Sequence, residues 1–118
     1  MAKKILVVDD SAPVRQQGGL ALTLAGYRVV EAFDGQDGVE KLVANADVSM
    51  IICDVNMPRM TGLDFLAKVG GAVPVVMLTT EGHADLKKRA KALGAKGWII
   101  KPFVPELLIQ TVQHLTGG

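Results

Sequence analysis

The sequence predicts an α/β protein built on one parallel sheet with helices on both faces. Two observations carry that reading. Short apolar runs rich in β-branched residues alternate with segments of helical composition, five of each. Four of the five apolar runs are followed at once by a polar or charged residue, as if one edge of the sheet were set aside for chemistry. With 118 residues the chain has the length of one domain with a single core, and no tract reads as a linker, a repeat or a low-complexity segment.

The elements follow in order. Ile5-Leu6-Val7-Val8 is the first strand. Pro13 suits the first turn of a helix, with Ser11 or Ala12 just outside it, and Gly26 stops that helix after Ala25. Arg28 to Ala32 is the second strand. Asp34-Gly35 is a turn with capping potential, and Gln36 to Asn45 is the second helix. Met50 to Cys53 is the third strand. Leu63 to Val69 is a third helix of about two turns, ended by Gly70-Gly71. Val75 to Leu78 is the fourth strand, Gly82 to Leu93 the fourth helix with Gly94 as its stop, Trp98 to Ile100 the fifth strand and Pro105 to Leu115 the last helix. Gly18 and Gly19 fall inside the first helix, where each should cost about 1 kcal/mol relative to alanine. One of them is expected to allow a close helix–sheet contact.

Composition narrows the function. Thirteen basic and twelve acidic side chains leave a net charge of +1, which argues against a nucleic-acid or polybasic membrane surface. One cysteine, Cys53, excludes an internal disulfide framework and fits a reducing compartment. No apolar run approaches the roughly 20 residues of a membrane span, and the apolar stretch behind Met1-Ala2-Lys3-Lys4 is too short for a signal peptide. The expectation is a soluble, cytoplasmic protein.

In parallel α/β sheets, ligands bind at the carboxyl ends of the strands. Asp9 and Asp10 end the first strand, Asp54 the third, Thr79 and Thr80 the fourth, and Lys101 the fifth. Three converging carboxylates repel one another and raise their pKa values, and a divalent cation removes the conflict. Hard oxygen ligands with few protein contacts favour magnesium. A carboxylate beside magnesium can attack a phosphoryl group to give an aspartyl phosphate, with Lys101 adding positive charge at the phosphoryl oxygens. Asp54, the charge at the end of an otherwise buried strand, is the expected acceptor. Thr79 could hydrogen-bond the new phosphoryl oxygen.

The segments ILVVDDS, IICDVNMPRMTG, VVMLTTEG and KGWIIKPF resemble, in order, type and spacing, the motifs of response regulator receiver domains. The resemblance covers nearly the whole chain and is closest to single-domain, CheY-like chemotaxis regulators, since no output domain follows the fifth helix. It implies a flavodoxin-like doubly wound sheet of order 2-1-3-4-5, with residues 1–118 as one receiver domain. It further implies phosphorylation of Asp54 by a histidine kinase. Magnesium would be held by Asp10, Asp54 and the Asn56 carbonyl, with Asp9 acting mostly through water. Lys101 would contact the phosphoryl group, Thr79 would be the switch hydroxyl and Trp98 the switch aromatic, a position more often tyrosine or phenylalanine. Asn56 and Glu81 would set the lifetime of the phosphoform, and Lys101-Pro102 would be cis. Partners implied are the kinase, an output target such as a flagellar motor switch component, and a phosphatase; the protein would be a monomer.

Blander readings stand beside these. Asp9-Asp10 could simply cap the first helix, although a cap needs one carboxylate. Asp54 could be a turn-former, Lys101 a solvated lysine, and Trp98 packing between the fourth and fifth helices. Cys53 alternates away from Asp54 and reads as core, and the methionines Met50, Met57, Met60 and Met77 as core or pocket rim. An aspartyl-nucleophile phosphatase is a competing function, but its second aspartate would stand at position 56, which is asparagine. A phosphorelay intermediate, a phosphate sink or a receiver that binds partners without phosphorylation are the others; the complete Asp9, Asp10, Asp54, Thr79 and Lys101 set argues against the last.

Overall fold

The computed structural model describes residues 2–70, 73–80 and 84–117. Its elements are β1 (Lys4–Val8), α1 (Ala12–Leu24), β2 (Arg28–Ala32), α2 (Gly35–Ala44), β3 (Val48–Asp54), α3 (Gly62–Val69), β4 (Val75–Thr79), α4 (Ala84–Ala92), β5 (Gly97–Ile100) and α5 (Pro105–Thr116). All pairings are parallel and the order is β2-β1-β3-β4-β5, as the resemblance implied.

Alternation along the strands builds two cores. In β1, Ile5 and Val7 pack with Leu22 of α1 and with Leu108 and Val112 of α5. Leu6 and Val8 pack on the opposite face with Leu63, Phe65 and Leu66 of α3 and Ala90 of α4. The inner strands are apolar on both faces because both faces are covered. Burying such side chains contributes roughly 1.5–3 kcal/mol each, enough to fix which residues of β3 face which layer.

Local chemistry sets the boundaries. Ser11 is the N-cap of α1, its hydroxyl accepting from Val14 N, and Pro13 lies in the first turn. Gly26 and Gly94, at φ 98° and 103°, end α1 and α4 in the left-handed region open to glycine. β3 is longer than its apolar run. Lys4 pairs with Val48 but Ile5 pairs with Met50, so Ser49 is an extra residue in a bulge that apolar content could not reveal. Asp54 and Thr79 are the last residues of their strands, not the first beyond them; Asp54 pairs with Leu78 and Thr79 with Ile100. α3 has the expected two turns. The predicted start of α4 at Gly82, and Gly71 after α3, lie outside the described residues.

Gly18 and Gly19 differ from expectation. Both are buried. A Cβ at Gly18 would stand 3.6 Å from Leu108 Cδ2, and one at Gly19 3.5 Å from Val29 Cγ1, which are ordinary contacts. Close approach therefore does not require glycine at either position. Gly18→Ala and Gly19→Ala should each stabilise the fold by up to about 1 kcal/mol, through helix propensity. Urea unfolding would read this as a higher midpoint at unchanged slope; a lower midpoint would reveal tighter packing than these distances allow.

Candidate functional site

β1 and β3 lie side by side at the point where the chain order reverses, and their carboxyl ends carry the acidic residues. Asp9 extends the ladder by one bond, its N donating to Ala32 O at 3.0 Å. Its carboxylate is buried and committed: Oδ1 accepts from Ser11 N at 2.9 Å and Oδ2 from Lys101 Nζ at 2.8 Å. Arg15 Nη1 donates to the Asp9 carbonyl at 2.6 Å, tying the first turn of α1 to the site. Asp10 is exposed. Asp54 is only 5% exposed, with Oδ1 3.2 Å from Lys101 Nζ. Carboxylate oxygens of Asp9, Asp10 and Asp54 all lie within 4.8 Å of one another.

One lysine against three carboxylates leaves two negative charges in a partly dry pocket. Burial, then the charge of Asp9, pushes the Asp54 carboxyl up to about 6, against the opposing pull of Lys101 and the Asn56 N–H. The same arrangement raises Lys101, because its hydrogen bond to Asp9 and the charge of Asp54 outweigh its own burial. An all-oxygen donor set carrying this excess charge fits a hard divalent cation.

The Lys101 backbone is tied to the end of β4. Its N donates to Thr79 O at 2.7 Å, and the Lys101–Pro102 bond is cis. Thr79 itself is fully buried at the end of β4. Below Asp54 the chain turns back tightly: Val55 N donates to Leu78 O, and Gly62 N to Val55 O at 2.7 Å. Gly62 lies so close to the end of β3 that a Cβ there would be 2.1 Å from Asp54 O. Thr61 caps α3 by accepting from Asp64 N.

Residues 5–113 match the response regulator receiver domain family. The chain belongs to that family. This receiver domain is 40% identical to the chemotaxis protein CheY1 of Helicobacter pylori, covering 97% of each chain, and 37% identical to the CheY homolog of Campylobacter jejuni, covering 97% of this chain and 92% of the other. It superposes on Vibrio cholerae chemotaxis protein CheY4 with a TM-score of 0.91 at 42% identity, covering 98% and 99% of the two chains. A CheY solved with CheX, BeF3 and magnesium from Borrelia burgdorferi superposes with a TM-score of 0.89 at 27% identity, over 95% and 87%.

The receiver's sequence-predicted residues Asp9, Asp10, Asp54 and Lys101 come together in one pocket. Asn56 is exposed on the loop that follows Asp54, and Glu81 lies outside the described residues. Trp98 pairs with Met77, two ladder positions before Thr79, and packs partly buried against the α3–α4 side. With Lys87, Ala90, Lys91 and Ala95 it lines a cleft of about 240 Å³, and its Nε1 is enclosed without a hydrogen bond among the described residues. Cys53 is core as expected, its Sγ 3.3 Å from Asp54 O, and burial drives its thiol pKa well up. Sequence reasoning missed Arg15 and the Asp34–Arg59 pair, since neither contact is marked by a motif or a helical spacing. No helix among the described residues is long and apolar enough to cross a membrane.

Proposed function

We propose that Asp54 accepts a phosphoryl group from a histidine kinase and that this receiver works as a chemotaxis switch of the CheY type. The observation that carries the reading is the convergence of Lys101 on Asp9 and Asp54 at the carboxyl edge of the sheet. An oxygen of Asp54 forms a bond to phosphorus while the phosphorus–nitrogen bond of the donor breaks, and the departing imidazole takes a proton from solvent. Lys101 donates to the phosphoryl oxygens and limits their charge. Asp10, Asp54 and the Asn56 carbonyl would hold magnesium, with Asp9 behind them through water. That role suits Asp9, whose oxygens already accept from Lys101 and Ser11. When bound, the metal supplies further positive charge for the transfer.

Thr79 takes a phosphoryl oxygen, and the change passes to Trp98 and the cleft beside α4, where a motor component or another target would read it. An amide at Asn56 cannot move a proton, so phosphatase turnover is not the favoured reading. Asn56 and Glu81 remain the residues proposed to tune self-dephosphorylation.

Acetyl phosphate with magnesium should add one phosphoryl group per chain, seen as intact mass, and none to Asp54→Asn. In the same samples, emission from the single tryptophan, Trp98, should change in wild type only. Equal labelling of both proteins would remove the assignment. Labelling of wild type without any change in emission would place the switch elsewhere.

A further inference from the structure

Arg59 is the one described residue other than glycine with positive φ, at 67°. That conformation is disfavoured for a long side chain and persists only where surroundings impose it. Part of the constraint is local, since Met60 N donates to Pro58 O at 2.7 Å across Arg59, and part comes from α2. Arg59 Nε and Nη2 donate to the same oxygen of Asp34, at 3.1 and 2.8 Å. Arg59 is largely exposed, but Asp34 is 2% exposed and is the N-cap of α2, its other oxygen accepting from Asp37 N at 2.8 Å. The neighbouring Met60 side chain lies against Gly35, where a Cβ would meet it at 2.8 Å.

The loop after Asp54 is therefore held at two places. Its root is closed by Gly62 N on Val55 O, and its tip is fastened to the start of α2. Asn56 lies between them. The metal reading needs the Asn56 carbonyl, and a backbone carbonyl on this stretch keeps its direction only while the intervening backbone keeps its course. A strained residue at the tip tends to relax, and the buried carboxylate of α2 resists that relaxation.

We propose that Asp34 and Arg59 are a positioning pair that holds the Asn56 carbonyl in place for the divalent cation. This rests on the metal reading of the preceding section. Neither residue touches the metal or the phosphoryl group; the pair sets how well the site is formed before the cation arrives.

The test is magnesium titration by calorimetry of the metal-free wild type, Arg59→Ala, Asp34→Ser, the double variant, Arg59→Lys and Asp10→Ala. Serine keeps the N-cap, so Asp34→Ser removes the pair without uncapping α2. Each single variant should weaken magnesium binding roughly 10-fold, the lower end of what such supporting contacts supply. The double variant should be no weaker than the worse single, and Arg59→Lys should recover part of the loss. Phosphorylation at saturating magnesium should return to near the wild-type rate, and amide exchange over 56–60 should quicken in the metal-free variants. Magnesium affinity within twofold of wild type in both singles, or losses that multiply in the double variant, would overturn the proposal. If Asp10→Ala binds magnesium as wild type does, the metal reading fails and the positioning role with it. If Asp10→Ala loses magnesium while Arg59→Ala keeps it, the positioning role alone fails.

Discussion

Gly62→Ala should destabilise the fold by about 3 kcal/mol or more, the largest effect expected of a methyl group added at any of the described glycines. A Cβ at residue 62 would fall 2.1 Å from Asp54 O and 2.7 Å from Val55 Cα. Both neighbours are backbone, and both sit at the end of a central strand that cannot yield without breaking its ladder. The glycine is needed for room: its φ is not among the positive values. The same methyl group that should help at Gly18 or Gly19 would separate the start of α3 from the acceptor. Urea unfolding should show a much lower midpoint, and any folded fraction should label poorly, because the Gly62 N to Val55 O bond that closes the loop would be lost. A variant of wild-type stability would mean that the loop shifts freely, and the tight closure described above would be wrong.

Asp54→Asn should do the reverse to stability while abolishing phosphorylation. The folded carboxyl has a pKa of about 6 against an ordinary 3.8, so the folded state binds the proton more tightly than the unfolded chain does. Stability contributed by this residue is therefore fully present below about pH 4 and is lost as pH rises to about 6. The loss is at most about 3 kcal/mol, and roughly 1–3 kcal/mol should return in Asp54→Asn above pH 7, less whatever Lys101 forfeits with its partner. Asp34 acts with the opposite sign. The Asp37 N–H, with help from Arg59, holds its carboxyl below the usual range, so its contribution is lost as pH falls through the acid range. The difference between wild-type and Asp54→Asn curves cancels that contribution and isolates Asp54. The difference should grow from pH 4 to 6 and shrink when magnesium is added to wild type. A flat difference across that range would show that the acceptor is not strained by its neighbours.

Much of this was legible in the sequence. Apolar runs located all five strands, because buried parallel strands must be apolar on both faces, and Gly26 and Gly94 marked helix ends that positive φ now explains. The acids and Lys101 were legible because several polar residues ended apolar runs on one predicted edge, a coincidence that a cap, a turn or a solvated lysine would each explain only singly. The strand order was carried by the resemblance, since alternation of elements does not choose it. What escaped were features that depend on distant residues. Ser49 is an unpaired residue visible only against β1. Asp34 caps α2 as its capping potential suggested, but its burial and the second oxygen that serves a loop 25 positions away were not legible. Arg59 has no propensity for its conformation. Gly18 and Gly19, one of which was expected to allow a close contact, both meet their neighbours at ordinary distances.

Lys101 also limits how the resting pocket can be used. An ammonium group has three donors, and two of its N–H groups are already spent on Asp9 and Asp54. If Lys101 serves an incoming phosphoryl group, as proposed, that group would compete with two carboxylates for one ammonium. The resting pocket thus resembles a turnstile with its arm down: the nitrogen proposed to receive the phosphoryl group is already shared by Asp9 and Asp54.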